Sequence, residues 1–534
     1  MLRTHLYADP DNLFLHDVIL DSCRRHAGKI ALVDASCGER ISYSHYGELV
    51  ETLARGLVAA GLQPGEVVAI FLPNSWEFCV AFHAATLAGG IPTLLNPTYR
   101  QREVQHQMEN SGAAFLITDG PQIDGLSLAC LPNLRKVFCT RQQGRGGERF
   151  SDLLKPVSAT LPTPNQPSEK ALAALPYSSG TTGLPKGVML SHRNLVANVY
   201  QLIGPRAMRL TDSDRVLCFL PLYHIYGLNV MLNPVLMVGA TMVLMPRFNV
   251  DQLTSLLTEE AITMMPLVPP ALNALCLVAE AGDFPKNHCV QWVKSGAAPL
   301  APELPRRFTA LTGILVSQGY GMTEASPVTH VGYLEPELYR PDSIGHPVAQ
   351  TECRIIGTEN TGAENLPAGA GMGQVNSGEP GELVMRGPQL MLGYWKAPEA
   401  TAAVLCDGWY WSGDIVTCDS EGFYRVVDRR KEMIKYKGFP VAPAEVEGVL
   451  LEHPAVRECG VVGRPDPAAG EIPVAFVALR AGFANGKKMQ EELCSFVTER
   501  LTGYKQPREV HFVDSVPKTA SGKLLRRELR RLIR

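Results

Sequence analysis

The chain has 534 residues, more than one domain of roughly 100–200 residues accommodates, so two or more domains are expected. Hydrophobic residues make up 46% and charged residues 19%, which fits a globular protein with large cores. Net charge is −3, from 50 basic and 53 acidic residues, and no global basic excess points to nucleic acid as a partner.

The predicted elements begin with an N-terminal stretch, Met1 to Leu20, that carries Arg3, Asp9, Asp11 and Asp17 and no continuous apolar segment. A signal peptide is therefore not expected. From Ile30 the pattern alternates. Ile30–Val33 reads as a strand, and Ser44–Gly61 places Tyr46, Leu49, Val50, Leu53, Leu57 and Val58 at helical spacing. Val67–Leu72 (strand), Trp76–Leu87 (helix), Pro92–Leu95 (strand), Tyr99–Glu109 (helix) and Ala113–Thr118 (strand) continue the rhythm. Such alternation predicts an α/β fold, with a parallel sheet covered by helices.

Gln142 to Lys170, rich in Gly, Pro, Ser and charge, is expected to run over the surface. The rhythm resumes through Val216–Leu217, Thr241–Leu244, Val250–Glu260 and Thr263–Leu267. The apolar stretch Leu228 to Met245 is broken by Asn229, Asn233, Pro234 and Gly239, so it reads as buried core and not as a membrane span. Thr358 to Pro380 reads as a further surface loop. After Asp428 the texture changes. Glu445–Leu451 (helix), Gly460–Val462 and Val474–Leu479 (strands), Met489–Leu501 (helix) and Val510–Val513 (strand) form an α+β unit of about 100 residues, enough for a small domain. The 13 cysteines, such as Cys79, Cys218, Cys276 and Cys353, include no C-x-x-C pair, so neither a zinc site nor a disulfide framework is indicated. Free thiols imply a reducing compartment, and a cytoplasmic location is expected.

One stretch organises the functional reading: Tyr177-Ser178-Ser179-Gly180-Thr181-Thr182-Gly183-Leu184-Pro185-Lys186-Gly187. Glycines let a backbone approach an anion, hydroxyls and N–H groups donate to it, and a lysine adds charge. The P-loop pattern needs Gly before Lys and Ser or Thr after it, whereas here Pro185 precedes Lys186 and Gly187 follows. The hydroxyl run with its lysine favours a phosphate loop over a plain Gly/Thr-rich surface loop.

Four later segments have a similar character. Leu220–Gly227 holds His224 and Tyr226, which alone read equally as packing residues. Gly319-Tyr320-Gly321-Met322-Thr323-Glu324 presents an aromatic face between glycines, suited to stacking on a base, and a carboxylate suited to Mg²⁺. Trp411-Ser412-Gly413-Asp414 offers a carboxylate for ribose hydroxyls or for capping a turn. Pro517–Lys523 is a second lysine-bearing loop, which also reads as part of a solvated basic tail.

Together, Tyr177–Gly187, Leu220–Gly227, Gly319–Glu324, Trp411–Ile415, Asp428–Glu447 and Pro517–Lys523 resemble the adenylate-forming superfamily of acyl-CoA synthetases, luciferases and peptide-synthetase adenylation domains. Within it they are most similar to 4-coumarate–CoA ligases and related acyl-CoA ligases, over nearly the whole chain. The resemblance implies a large N-terminal domain of helix-covered sheets, residues 1–430, and a small mobile α+β C-terminal lid, residues 431–534, with Lys431 as the hinge. It implies ATP, Mg²⁺ and coenzyme A as cofactors, and a two-step reaction through acyl-AMP.

By the same resemblance, Lys523, Thr323 and His224 belong to catalysis and Glu324 to the metal. Lys523, an ordinary protonated lysine needing no tuning, would bridge the carboxylate and the phosphate. Ser178, Ser179, Gly180, Thr181, Thr182, Gly183 and Lys186 would hold the β- and γ-phosphates. Tyr320 would stack on adenine beside Ala298, within the Gly319, Gly321 and Met322 segment. Asp414 and Arg429 would bind ribose. Lys435 belongs to the adenylation face, and Lys437, Gly438 and Phe439 to the coenzyme A tunnel. The acyl pocket would be formed by His224, Tyr226, Gly296, Ala297, Gly319, Pro327 and Val328, with the Tyr226 hydroxyl meeting a ring hydroxyl of the acid. An aryl or cinnamate-type acid is expected, with a medium- or long-chain fatty acid as the alternative. Pro440 stands where coumarate ligases usually carry Gln, and proline has no N–H to offer a phosphate. No mark of oxygen chemistry supports a luciferase, and the chain ends soon after Lys523, unlike a peptide-synthetase module followed by a carrier. A non-enzymatic nucleotide-binding protein of the same fold is the reading from another class. The expected partners are small molecules, with no nucleic acid and no integral membrane association, for a monomer or homodimer.

Overall fold

The computed structural model describes residues 13–124, 126–141, 146–178, 185–204, 207–357, 374–437, 439–467, 469–519 and 522–533. The expected phosphate-loop residues Ser179, Gly180, Thr181, Thr182 and Gly183, the tunnel residue Gly438 and most of the loop from Thr358 lie outside them.

The largest sheet has nine strands. Six form its parallel centre, in the spatial order Leu315–Gly321, Trp292–Ser295, Met264–Leu267, Arg215–Cys218, Thr241–Leu244 and Ile30–Asp34. Thr241–Leu244, Met264–Leu267 and Trp292–Ser295 are buried along their whole length, as strands covered on both faces must be. Antiparallel strands close both edges, Glu39–Ser42 on one side and Val328–Val331 with His346–Pro347 on the other. A second, five-stranded parallel sheet runs Ile91–Leu94, Val67–Phe71, Phe115–Thr118, Lys136–Cys139 and Glu148–Arg149.

Helices pack between the two sheets. Trp76–Leu87 is apolar all round and almost wholly buried. It starts where the Ser75 hydroxyl accepts the Phe78 N–H. The apolar stretch from Leu228 folds as a π-helical turn, Gly227–Leu232, a helix, Asn233–Val238, and a core strand. Among the described residues no helix is long and apolar enough to cross a membrane.

The surface run expected from Gln142 is corrected in part. Glu148–Arg149 adds a strand to the second sheet, and the turn of helix Phe150–Leu153 buries Phe150 and Leu153. These two apolar side chains, three apart, share one face of a helical turn. The Leu153 carbonyl sits so close to Gly56 that a Cβ there would lie 2.2 Å from it. From Leu154 to Pro167 every residue of the run is exposed or half-buried.

The C-terminal unit is a separate domain with its own core. Its sheet orders Phe439–Val441, Ile434–Tyr436, Gly470–Leu479 and Val456–Asp466, with Glu509–Phe512 parallel to the third of these. Its two apolar clusters draw only on residues from Ile434 onward. The last strand of the large domain, Tyr424–Arg429, ends just before it, and Lys431 is exposed in the turn between. Inside this domain Arg526 grips Glu447 through both carboxylate oxygens, at 2.9 and 2.8 Å.

Candidate active site

Four neighbouring parallel strands of the large sheet all point their C-terminal ends at one cleft. Leu220–Gly227 follows Arg215–Cys218, Pro269 and Pro270 follow Met264–Leu267, Gly296–Ala298 follow Trp292–Ser295, and Gly319–Glu324 closes Leu315–Gly321. Sites at the carboxyl ends of parallel strands are a general property of open α/β sheets. The small domain covers the opposite side and contributes Lys523.

On one wall Tyr320, Asp414 and Arg429 form a connected set. Asp414 and Arg429 are ladder partners on adjacent strands. The Tyr320 hydroxyl donates to Asp414 Oδ2 at 2.5 Å, and Arg429 Nε lies 3.2 Å from Asp414 Oδ1. Burial, reinforced by the Asp414 carboxylate, holds the Tyr320 phenol well above its ordinary pKa, so it stays a donor. Gly321 is required by packing, since a Cβ there would lie 2.0 Å from the Pro327 carbonyl oxygen.

Thr323 and Glu324 sit in a 3₁₀ turn, Thr323–Ala325. Glu324 Oε1 accepts the Tyr394 hydroxyl at 2.8 Å. Ser178 and Lys186 are paired across an antiparallel ladder, which sets them side by side at the cleft.

His224 is half-buried at the cleft. Its Nδ1 accepts the Tyr226 backbone N–H at 3.2 Å. Burial, then the nearby Lys523 charge, pushes it down to about 4, so the ring is neutral at pH 7. With Nδ1 accepting, the proton sits on Nε2, and His224 offers one neutral hydrogen-bond donor and no charge.

Lys523 reaches the cleft from a hairpin. The Thr519 N–H donates to the Lys523 carbonyl at 2.8 Å, and the Lys523 N–H donates to Thr519 Oγ1 at 3.0 Å. Gly522, at φ +80°, lies flush against Pro270, where a Cβ would meet ring carbons at 2.9 Å. Lys523 is expected to act as a protonated lysine, and it stays protonated at pH 7. Burial, then Arg429, pushes it down to about 8, while Asp414, Glu324 and Glu432 pull the other way.

Gly296, Ala297, Ala298, Gly319, Pro327 and Val328 come together at the cleft as expected of a pocket wall. The Tyr226 ring packs so near Gly296 that a Cβ there would lie 3.2 Å from it. The expectation that the Tyr226 hydroxyl meets the substrate is corrected. It bonds to the carbonyls of Leu267 and Lys294, 3.3 Å each, because the ring lies across two strand ends whose carbonyls need donors.

Lys294 was not singled out from the sequence. It is 4% exposed, lines the cleft, and donates from Nζ to the Gly332 carbonyl at 2.9 Å. Burial pushes it down to about 7. Its signal was a lysine in the otherwise apolar approach to Gly296.

The small domain's other basic stretch stands elsewhere. Lys435, Lys437 and Phe439 are exposed and take no part in the cleft lining. Lys435 was expected at the adenylation face, and its strand sets its direction. Ile434 turns into the domain core, so the next side chain on the strand turns to solvent. Phe439 stacks on Tyr504, with ring centroids 5.0 Å apart.

The profile of the AMP-binding enzyme family matches residues 19–395, and that of the AMP-binding enzyme C-terminal domain matches residues 445–523. The chain belongs to the AMP-binding enzyme family. Among relatives of this AMP-binding enzyme, 4-coumarate–CoA ligase 5 of Oryza sativa subsp. japonica is 38% identical over 533 residues, spanning 98% of this chain and 95% of the other. ATP-bound MatB of Rhodopseudomonas palustris has the same fold, with a TM-score of 0.86 at 28% identity over 98% of this chain and 99% of that one. Apo MatB covers as much but scores 0.77. The anthranilate CoA ligase AuaEII, in complex with anthranoyl-AMP, scores 0.86 at 26% identity over 98% of both chains.

Proposed function

We propose that this AMP-binding enzyme is an ATP-dependent acid–CoA ligase acting on an aryl or cinnamate-type acid. The observation that carries the reading is the approach of Lys523, from the far end of the chain, to Glu324, Asp414, Arg429 and His224 over one cleft. The names of its relatives, and the acyl-AMP held by a solved neighbour, support it.

In the first step a carboxylate oxygen of the acid attacks the α-phosphorus of ATP. The bond to pyrophosphate breaks, leaving acyl-AMP. Such a transfer relies on positioning and charge stabilisation. Tyr320 presents its ring to adenine. Asp414 keeps lone pairs for ribose hydroxyls beyond its bonds to Tyr320 and Arg429. Ser178 and Lys186 face the departing phosphates, Thr323 the α-phosphate, and protonated Lys523 bridges the two reacting anions. Glu324 offers a hard carboxylate oxygen, which fits Mg²⁺, an ion that takes one or two carboxylates beside phosphate oxygens and would neutralise polyphosphate charge when bound.

In the second step the coenzyme A sulfur attacks the acyl carbon. The thiol proton is lost, and the bond to AMP breaks. We place the domain boundary between residues 430 and 431, with rotation about Lys431. Rotation withdraws Lys523 and brings Lys437, Gly438 and Phe439 to line the coenzyme A path. Lys294 in the pocket wall favours an acid with a polar atom on its ring over an unbroken alkyl chain, which would offer the Lys294 nitrogen no hydrogen-bond partner beyond the Gly332 carbonyl.

ATP–pyrophosphate exchange with a panel of acids tests the reading, followed by thioester detection when coenzyme A is added. Exchange driven by cinnamate- or benzoate-type acids is expected. Exchange driven only by alkyl acids would reassign the substrate, and none with any acid would leave a nucleotide-binding protein.

A further inference from the structure

Tyr394 belongs to none of the motifs above, yet it touches two of the charged groups assigned to ATP. It lies on the two-residue strand Gly393–Tyr394, antiparallel to Lys186–Ser191, with Val188 opposite it. The backbone there is tightly held. Trp395 N–H donates to the Gly187 carbonyl at 2.8 Å, and Tyr394 N–H donates to Thr401 Oγ1 at 2.8 Å. The Tyr394 hydroxyl donates to Glu324 Oε1 at 2.8 Å, and Lys186 Nζ lies 5.1 Å from the centroid of its ring. Glu324 is fixed from behind as well, its carbonyl accepting the Met391 N–H at 2.8 Å. The two charges thus meet different parts of one neutral side chain rather than each other.

We propose that Tyr394 is a positioning residue that keeps Glu324 and Lys186 from pairing, so that each is available to a nucleoside triphosphate and its divalent cation. An ammonium and a carboxylate left in contact neutralise one another, and the pair must then be broken before phosphate or metal binds. A phenol avoids this. Its O–H orients the carboxylate without cancelling the charge, and its face seats the ammonium through the ring quadrupole.

The proposal rests on the reading in which Glu324 serves the metal and Lys186 the phosphates. Its test is calorimetric binding of ATP to the full chain, with Mg²⁺ and with EDTA. Tyr394→Phe removes only the hydroxyl. MgATP affinity is expected to fall roughly ten- to a hundredfold, the worth of a hydrogen bond to a charged group, while metal-free ATP binds as before. Raising Mg²⁺ should restore the adenylation rate, and thioester formation from supplied acyl-AMP should not change. Tyr394→Leu also removes the ring, and metal-free ATP should then weaken too. Equal losses for both forms of ATP in Tyr394→Phe, or no loss in either, would overturn the proposal. Metal-free ATP binding unchanged in Tyr394→Leu would overturn the seat assigned to Lys186. A parent chain that binds no MgATP would instead sink the underlying ligase reading.

Discussion

The small domain carries two basic stretches, and the structure treats them in opposite ways. The hairpin that ends at Lys523 is pressed against Pro270, and its lysine is held in the cleft at a lowered pKa. Lys435, Lys437 and Phe439 are exposed, with Phe439 set against Tyr504 of its own domain. One orientation of the domain therefore serves one stretch. The contrast teaches that position, not residue type, separates these lysines.

The contrast can be broken most directly at Lys523. Lys523→Ala should slow adenylation by about a hundredfold or more, while thioester formation from supplied acyl-AMP is spared. Equal loss in both half-reactions would end the two-orientation reading. Next in size is the Glu447–Arg526 ion pair inside the small domain. Arg526→Leu leaves Glu447 buried without its partner and should cost about 3 kcal/mol in denaturant unfolding of the domain. Both half-reactions should then fall together on warming. Lys437→Ala should show the reverse of Lys523→Ala, with pyrophosphate exchange retained and the thioester step slowed by about tenfold, on the scale of a lost hydrogen bond to a charged group.

The smallest effect is in pH. Lys523 is protonated below about 8 and loses its charge above it. The kcat/KM of ATP in the adenylation step should therefore decline as pH rises through that value, since this ratio reports the free enzyme. The thioester step from supplied acyl-AMP should show no such limb. A flat adenylation profile to pH 9 would show that Lys523 keeps its ordinary pKa.

The parallel strands and most helices were legible because their signals are local. Trp76–Leu87 announces itself by an apolar run behind Ser75, and the central strands by short runs of buried residues. The motifs were legible too, as spaced groups of glycine, hydroxyl and charge. What escaped was fixed by partners far away in sequence. Tyr226 gives its hydroxyl to carbonyls on two other strands, and Tyr394 reaches a carboxylate 70 positions earlier. Lys294 was overlooked because nothing in its neighbours shows that its ammonium ends on Gly332. The exposure of Lys435 was not legible because the side of a short strand is set by which neighbour enters the core.

The Glu447–Arg526 pair has one more consequence. It ties the domain's first helix, Pro443–Glu452, to the segment that follows Lys523. Both basic stretches therefore travel as cargo on a single body, at a fixed separation whatever angle that body takes. Under the proposed reading this is an interlock: the order of the two half-reactions is kept by geometry, with no outside regulator needed to enforce it.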